Sequence, residues 1–99
     1  MRYQIKRTDH NQQEIMDALR ACGWIVKDLH EVGGGFPDLI VANQFQENIL
    51  IEVKQPGKKL NELELKFFKE WPGNKIIAYS GEDAINKLQE FRGRGGLND

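Results

Sequence analysis

Hydrophobic and polar positions change period several times along the chain, and each change marks an element. Asn11-Gln12-Gln13-Glu14 offers a side-chain oxygen to cap a helix, with Glu14 at capping-box spacing. Ile15, Leu19 and Cys22 follow at i, i+4 and i+7, predicting one buried helical face, and Gly23 stops it. Trp24 to Leu29 reads as a strand. Gly33-Gly34-Gly35 breaks it and leads to a second strand, Leu39-Ile40-Val41, opened by Pro37-Asp38. Ala42 to Glu47 is a polar, hairpin-like connection. Asn48 to Lys54 is nearly continuously apolar up to Glu52, as in a central strand covered on both faces. Leu60, Leu63, Phe67 and Trp71 recur with helical period as a second apolar stripe, ended by Pro72-Gly73. Lys75 to Tyr79 is a short strand. Ser80-Gly81-Glu82-Asp83 has capping-box spacing, and Ala84, Leu88 and Phe91 mark a last helix ending near Gly93.

The order αβββαβα predicts an α/β fold. Three consecutive strands imply an antiparallel meander, and the later strand–helix–strand unit implies a crossover strand on the same sheet. The expected architecture is a mixed central β-sheet flanked by helices. With 99 residues and no repeat or linker, the chain fits one domain, residues 92–99 reading as a flexible tail. A chain of this size buries only about 60–65 % of the surface its unfolded form exposes. Self-association is therefore a plausible route to further burial.

Composition changes this picture little. Hydrophobic content of 39% and charged content of 29% are ordinary for a globular domain. A net charge of −1 gives no global field toward nucleic acid, which disfavours a DNA-coating protein. An enzyme fits better, since an acidic site offsets a local basic stretch. Between Lys54 and Lys69, Lys54, Lys58, Lys59, Lys66 and Lys69 outnumber Glu62 and Glu64. Cys22 stands alone, which leaves no internal disulfide or thiolate cluster, and reads as a small apolar filler. No apolar signal segment or membrane-length run is seen, so a cytoplasmic location is expected.

The chemistry concentrates at two strand edges. Side chains alternate faces along a strand, so Glu52 and Lys54 share one face while Val53 points to the other. If the two apolar runs pair, Asp38 lies beside Glu52. Two carboxylates and an ammonium then meet, a set suited to holding a hard divalent cation against a phosphate. Mg²⁺ takes oxygen ligands and usually one or two carboxylates, to which the Val53 backbone carbonyl can add another oxygen. Lys54 would need its pKa lowered by about 3 units to act as a base, so an orienting and charge-stabilising role is favoured. The plainer readings are a turn residue at Asp38 and an exposed charge ladder at Glu52 and Lys54. The apolar character of the run argues against that ladder.

Gly35-Phe36-Pro37-Asp38 followed by Ile51-Glu52-Val53-Lys54 resembles the PD-(D/E)XK nuclease superfamily. Glu14-Ile15 on the opening helix, the glycine-rich approach to Pro37-Asp38 and the stretch from Gly57 to Trp71 are similar, more narrowly, to virus-type replication-repair nuclease (VRR-NUC) domains. The resemblance covers roughly Gln12 to Tyr79. It implies a restriction-endonuclease-like core and a Mg²⁺- or Mn²⁺-dependent endonuclease acting on structured DNA. Small standalone members resemble dimeric Holliday-junction resolvases of phage or bacterial DNA repair. By position it assigns Asp38, Glu52 and the Val53 carbonyl as metal ligands and Lys54 as the catalytic lysine. Glu14 becomes a further acidic group at the metal, although the same residue fits a helix cap. The family often has glutamine in the helix after this strand; the aligned position here is Glu64, and that departure leaves it without an assigned role.

Gly34 and Gly35 read as loop glycines with positive φ that can also admit a DNA backbone, and Lys58 and Lys59 as phosphate contacts. Trp24, Leu63, Phe67 and Trp71 read as core, with part of the second helix open to a dimer seam. His10 and His30 fit no metal-binding spacing. The expectation is a homodimeric, structure-selective DNA endonuclease. The alternatives are a nuclease on linear DNA or RNA in defence or restriction, or a non-catalytic nucleic-acid-binding module.

Overall fold

A computed structural model of the protein describes residues 7–45 and 47–93. Its elements run α1 (Arg7–Ala21), β1 (Ile25–Asp28), β2 (Leu39–Ala42), β3 (Asn48–Val53), α2 (Glu62–Glu70), β4 (Lys75–Ala78) and α3 (Gly81–Gly93). The strands form one sheet in the order β1-β2-β3-β4. β1, β2 and β3 pair antiparallel, and β4 joins β3 in parallel after the α2 crossover. The meander and crossover read from the sequence are both present. Of the predicted tail, Arg92 and Gly93 belong to α3, and residues 94–99 lie outside the described residues.

Register decides which residues form the core. Val26, Val41 and Ile49 lie across from one another, as do Leu39, Ile51 and Ile76. These residues share a face on which α1 and α3 pack, bringing Ile15, Leu19, Ala84 and Leu88 against them. Burying each such aliphatic side chain contributes about 1.5–3 kcal/mol. Alternation sends Asp38, Ile40, Leu50, Glu52 and Ile77 to the opposite face. β3 is central and buried from Ile49 to Val53, which explains its unbroken apolar run.

α1 starts at Arg7, so Asn11 and Glu14 lie inside the helix and the predicted cap at Asn11 does not form. Both side chains instead tie α1 to other elements. Asn11 Nδ2 donates to the Lys54 carbonyl at 2.9 Å, and Glu14 Oε2 accepts the Gly81 N–H at 3.2 Å. The helix ends as Gly23 predicts. The Trp24 N–H reaches the Leu19 carbonyl and the Gly23 N–H the Arg20 carbonyl, each at 3.0 Å, with Gly23 at φ +95°. That pair of hydrogen bonds is a Schellman termination. It places Cys22 at the helix end, exposed, so the expected burial of Cys22 is corrected. Trp24 packs against the core as expected.

The larger correction concerns α2. Leu60 precedes the helix, no residue of α2 is buried, and Leu63 and Trp71 are 57% and 41% exposed. The stripe packs mainly on itself and on the loop before β2, and not on the sheet. Phe36 meets Phe67 edge-on at 5.0 Å and Trp71 at 6.4 Å, while Phe67 and Trp71 stack at 5.2 Å. At α3 the predicted cap forms: Ser80 Oγ accepts the Asp83 N–H at 3.0 Å, while Asp83 Oδ2 reaches back to the Tyr79 N–H at 2.9 Å.

Candidate active site

Asp38 is fixed before its side chain does anything. Its N–H donates to the Ile51 carbonyl at 3.0 Å, and its carbonyl accepts the Leu29 N–H at 2.7 Å. Pro37, fully buried, locks the approach. Asp38 Oδ2 then accepts the Val53 N–H at 2.8 Å, drawing the carboxyl across to β3. Glu52 lies opposite Asp38 by the β2–β3 register and is 3% exposed. Lys54 is held by backbone on both sides: its N–H donates to the Ala78 carbonyl at 3.0 Å and its own carbonyl accepts Asn11. Its Nζ stands 3.9 Å from Glu52 Oε2 and 2.7 Å from Glu64 Oε1. Asp38, Glu52 and Lys54 thus meet at one end of the sheet, as strand alternation predicts.

Glu64 is the residue that sequence reasoning left aside. It belongs to a capping box in which Asn61 Oδ1 accepts the Glu64 N–H and Glu64 Oε1 accepts the Asn61 N–H, each at 2.9 Å. The signal was present in Asn61-x-x-Glu64, the same spacing noted at Asn11 and Ser80. One glutamate oxygen therefore both starts α2 and grips Lys54.

Three carboxyl groups this close cannot all stay ionised. Burial, then the Asp38 charge and a hydrogen bond with Glu64, pushes Glu52 up to about 9 from 4.5. Burial also raises Asp38, against the Val53 N–H and a hydrogen bond from Glu52 that favour its charge. Burial opposes the charge on Glu64 too. There the bonds from Lys54, the Asn61 N–H and Glu52 outweigh it and hold the group below its ordinary value. Of the three, Glu52 is the group most strongly driven to keep its proton.

The residues fit a hard divalent cation. Glu52 Oε1 is buried and receives no hydrogen bond, so an oxygen donor waits beside Asp38. The available donors are carboxylate oxygens, the chemistry of a Mg²⁺ or Mn²⁺ site. Among the described residues, no three His, Cys, Asp or Glu side chains are gathered as a preformed cage. Glu14, expected near the metal, is engaged at the head of α3 through Gly81. Val53 is buried with its N–H on Asp38, and its carbonyl belongs to the same strand end.

Around the acids, Gly33, Gly34 and Gly35 adopt φ of +72°, +66° and +86°. Gly35 has a second reason to be glycine. A Cβ there would stand 2.7 Å from the Leu63 backbone, so the loop presses directly on α2. Lys58 and Lys59 are exposed in the turn after β3. His30 pairs with Asp28 at 2.7 Å, and the side chain of His10 lies outside the described residues. Among the described residues no helix is long and apolar enough to cross a membrane.

Comparison with known proteins agrees with this architecture. A solved structure described as a VRR_NUC domain matches with a TM-score of 0.71 over 87% of this chain and 97% of that one. Its sequence is 23% identical, so the likeness speaks to the fold. No curated protein matches the chain. The family model for the VRR-NUC domain matches residues 3–80, from before α1 to the cap of α3. A match over that span, on a sheet of this order, means that the chain belongs to the VRR-NUC family, a nuclease-type fold.

Proposed function

We propose that the protein is a Mg²⁺- or Mn²⁺-dependent endonuclease that cuts branched DNA, such as four-way junctions, as a homodimer in the cytoplasm. The observation that carries this is the meeting of Asp38, Glu52 and Lys54 at one sheet end, with Glu52 Oε1 buried and unpartnered. Asp38, Glu52 and the Val53 carbonyl would hold the cation. When bound, it would polarise the phosphoryl oxygen and lower the pKa of water. Asp38 is kept in place for this by Val53, and Lys54 stabilises charge on the phosphate. Glu14 lies one turn along α1 from Asn11, which touches Lys54, and from there it can reach the site through water while capping α3. Gly34, Gly35, Lys58 and Lys59 would meet the DNA backbone beside the acids.

A two-fold dimer presents two like sites to a two-fold junction, which favours branched over linear substrates. The test incubates purified protein with four-way junction, flap, fork and linear duplex, in Mg²⁺ and in chelator. Cleavage confined to Mg²⁺ and strongest on the junction is expected. Lys54→Ala should still bind the junction while cutting at least ~100-fold more slowly, the scale of one lost charge-stabilising donor. Cutting at the original rate would remove Lys54 from the chemistry. Binding without products under any divalent condition would favour the non-catalytic module.

A further inference from the structure

We propose that Glu64, which holds Lys54 at 2.7 Å, is a third carboxylate of the cation site and turns to the cation when one binds. This rests on the reading of Asp38 and Glu52 as cation ligands. Glu64 Oε1 is 2.7 Å from Lys54 Nζ, and the two side chains are only 14% and 18% exposed. They are therefore enclosed beside Glu52, whose own side chain is 4% exposed and whose Oε1 receives no hydrogen bond.

Charge and mobility give the proposal its physical content. With all groups ionised, Asp38, Glu52 and Glu64 against Lys54 leave two unbalanced negative charges, which one divalent cation neutralises. Lys54 is the counter-ion that Glu64 holds in the structure. Among the described residues no three acids are gathered as a cage, and Glu64 Oε1 faces Lys54. Turning away frees the Lys54 ammonium for a phosphate at the moment the site gains its third acid. The turn releases the Asn61 N–H that Glu64 Oε1 accepts, which α2 can accommodate because that N–H lies at an exposed helix end. Trp71, stacked on Phe67 at the other end of the helix, serves as a fluorescence probe of any shift of α2 that accompanies the turn.

The test separates cation binding from helix structure. Glutamine also closes a capping box, so Glu64→Gln preserves the start of α2 while removing the charge. Mn²⁺ binding to wild type, Glu64→Gln and Asp38→Asn is measured by calorimetry without DNA, with Trp fluorescence alongside. Glu64→Gln should weaken Mn²⁺ binding at least ~10-fold, since losing a direct ligand costs no less than losing an outer partner of a metal site. It should also reduce the fluorescence change on Mn²⁺ addition. Unchanged or tighter binding by Glu64→Gln, with binding lost in Asp38→Asn, overturns the role of Glu64 alone. Binding indifferent to both substitutions overturns the cation-site reading with it.

Discussion

A carboxyl group buried between two others keeps a proton that water would take. With a pKa of about 9 against an ordinary 4.5, Glu52 ties folding to pH in a definite direction. Between those values the folded chain binds more protons than the unfolded one, so stability falls as pH rises. Asp38, also raised, adds in the same sense. Glu64 is lowered, so its contribution is lost only on acidification below its ordinary value, outside this window. In chelator, the melting temperature should therefore fall steadily from about pH 5 to about pH 9, and Glu52→Gln should flatten that slope. A wild-type melting temperature constant over this range would show that Glu52 titrates normally. Added Mg²⁺ should stabilise more at pH 8.5 than at pH 6, because ligand carboxylates must lose protons to bind. Asp38, Glu52 and Lys54 were legible in the sequence because alternation along paired strands places them without further knowledge. The roles of Glu14 and Glu64 were not, since each depends on where a helix starts. α1 begins at Arg7, which takes Glu14 out of its own cap, and α2 begins at Asn61, which brings Glu64 in.

At the scale of elements, α2 reaches the rest of the fold through the Glu64–Lys54 pair, the Gly35 contact and the ring of Phe36 against Phe67 and Trp71. Both Gly34 and Gly35 hold positive φ, which a side chain tolerates at about 1–2 kcal/mol. Gly34 opens onto free space, whereas a Cβ at Gly35 meets the Leu63 backbone at 2.7 Å. Gly34→Ala should thus destabilise by about 1–2 kcal/mol, and Gly35→Ala by about 1–3 kcal/mol more, the usual range for overpacking. Urea unfolding measures both, and Trp71 fluorescence should shift only in the second. Equal losses would mean that the loop does not press on α2. The strands and the crossover were readable because apolar runs, glycines and strand order constrain a sheet strongly. The depth of α2 was not, because a helical stripe states that a face is covered and not by what. Here Phe36, a loop residue with no periodic signal, takes the place of the sheet beneath Phe67 and Trp71.

For the molecule as a whole, that exposed helix bears on assembly. Glu62, Leu65, Lys66, Lys69 and Glu70 line a shallow groove of about 340 Å³ on α2, in which Leu65 is exposed. Acidic Glu62 stands at one end of the helix and basic Lys69 in its last turn. Two copies related by a two-fold axis and crossing antiparallel at Leu65 would set Glu62 of each beside Lys69 of the other, the self-complementarity an isologous interface requires. The proposed dimer is placed on this face. Sedimentation at micromolar concentration should give twice the 11.4 kDa chain mass, and melting should depend on protein concentration. Leu65→Glu should yield the monomer, because it sets like charges together at the two-fold axis. Glu62→Lys and Lys69→Glu should each weaken the dimer modestly, by about 0.2–1 kcal/mol per exposed pair lost. Their combination should restore it, since the pairing is only reversed. That restoration is the outcome a chance apolar contact cannot produce. A double variant as monomeric as the worse single one would move the seam to another face, and a wild-type monomer at all concentrations would leave branched-DNA cutting to a single site at a time.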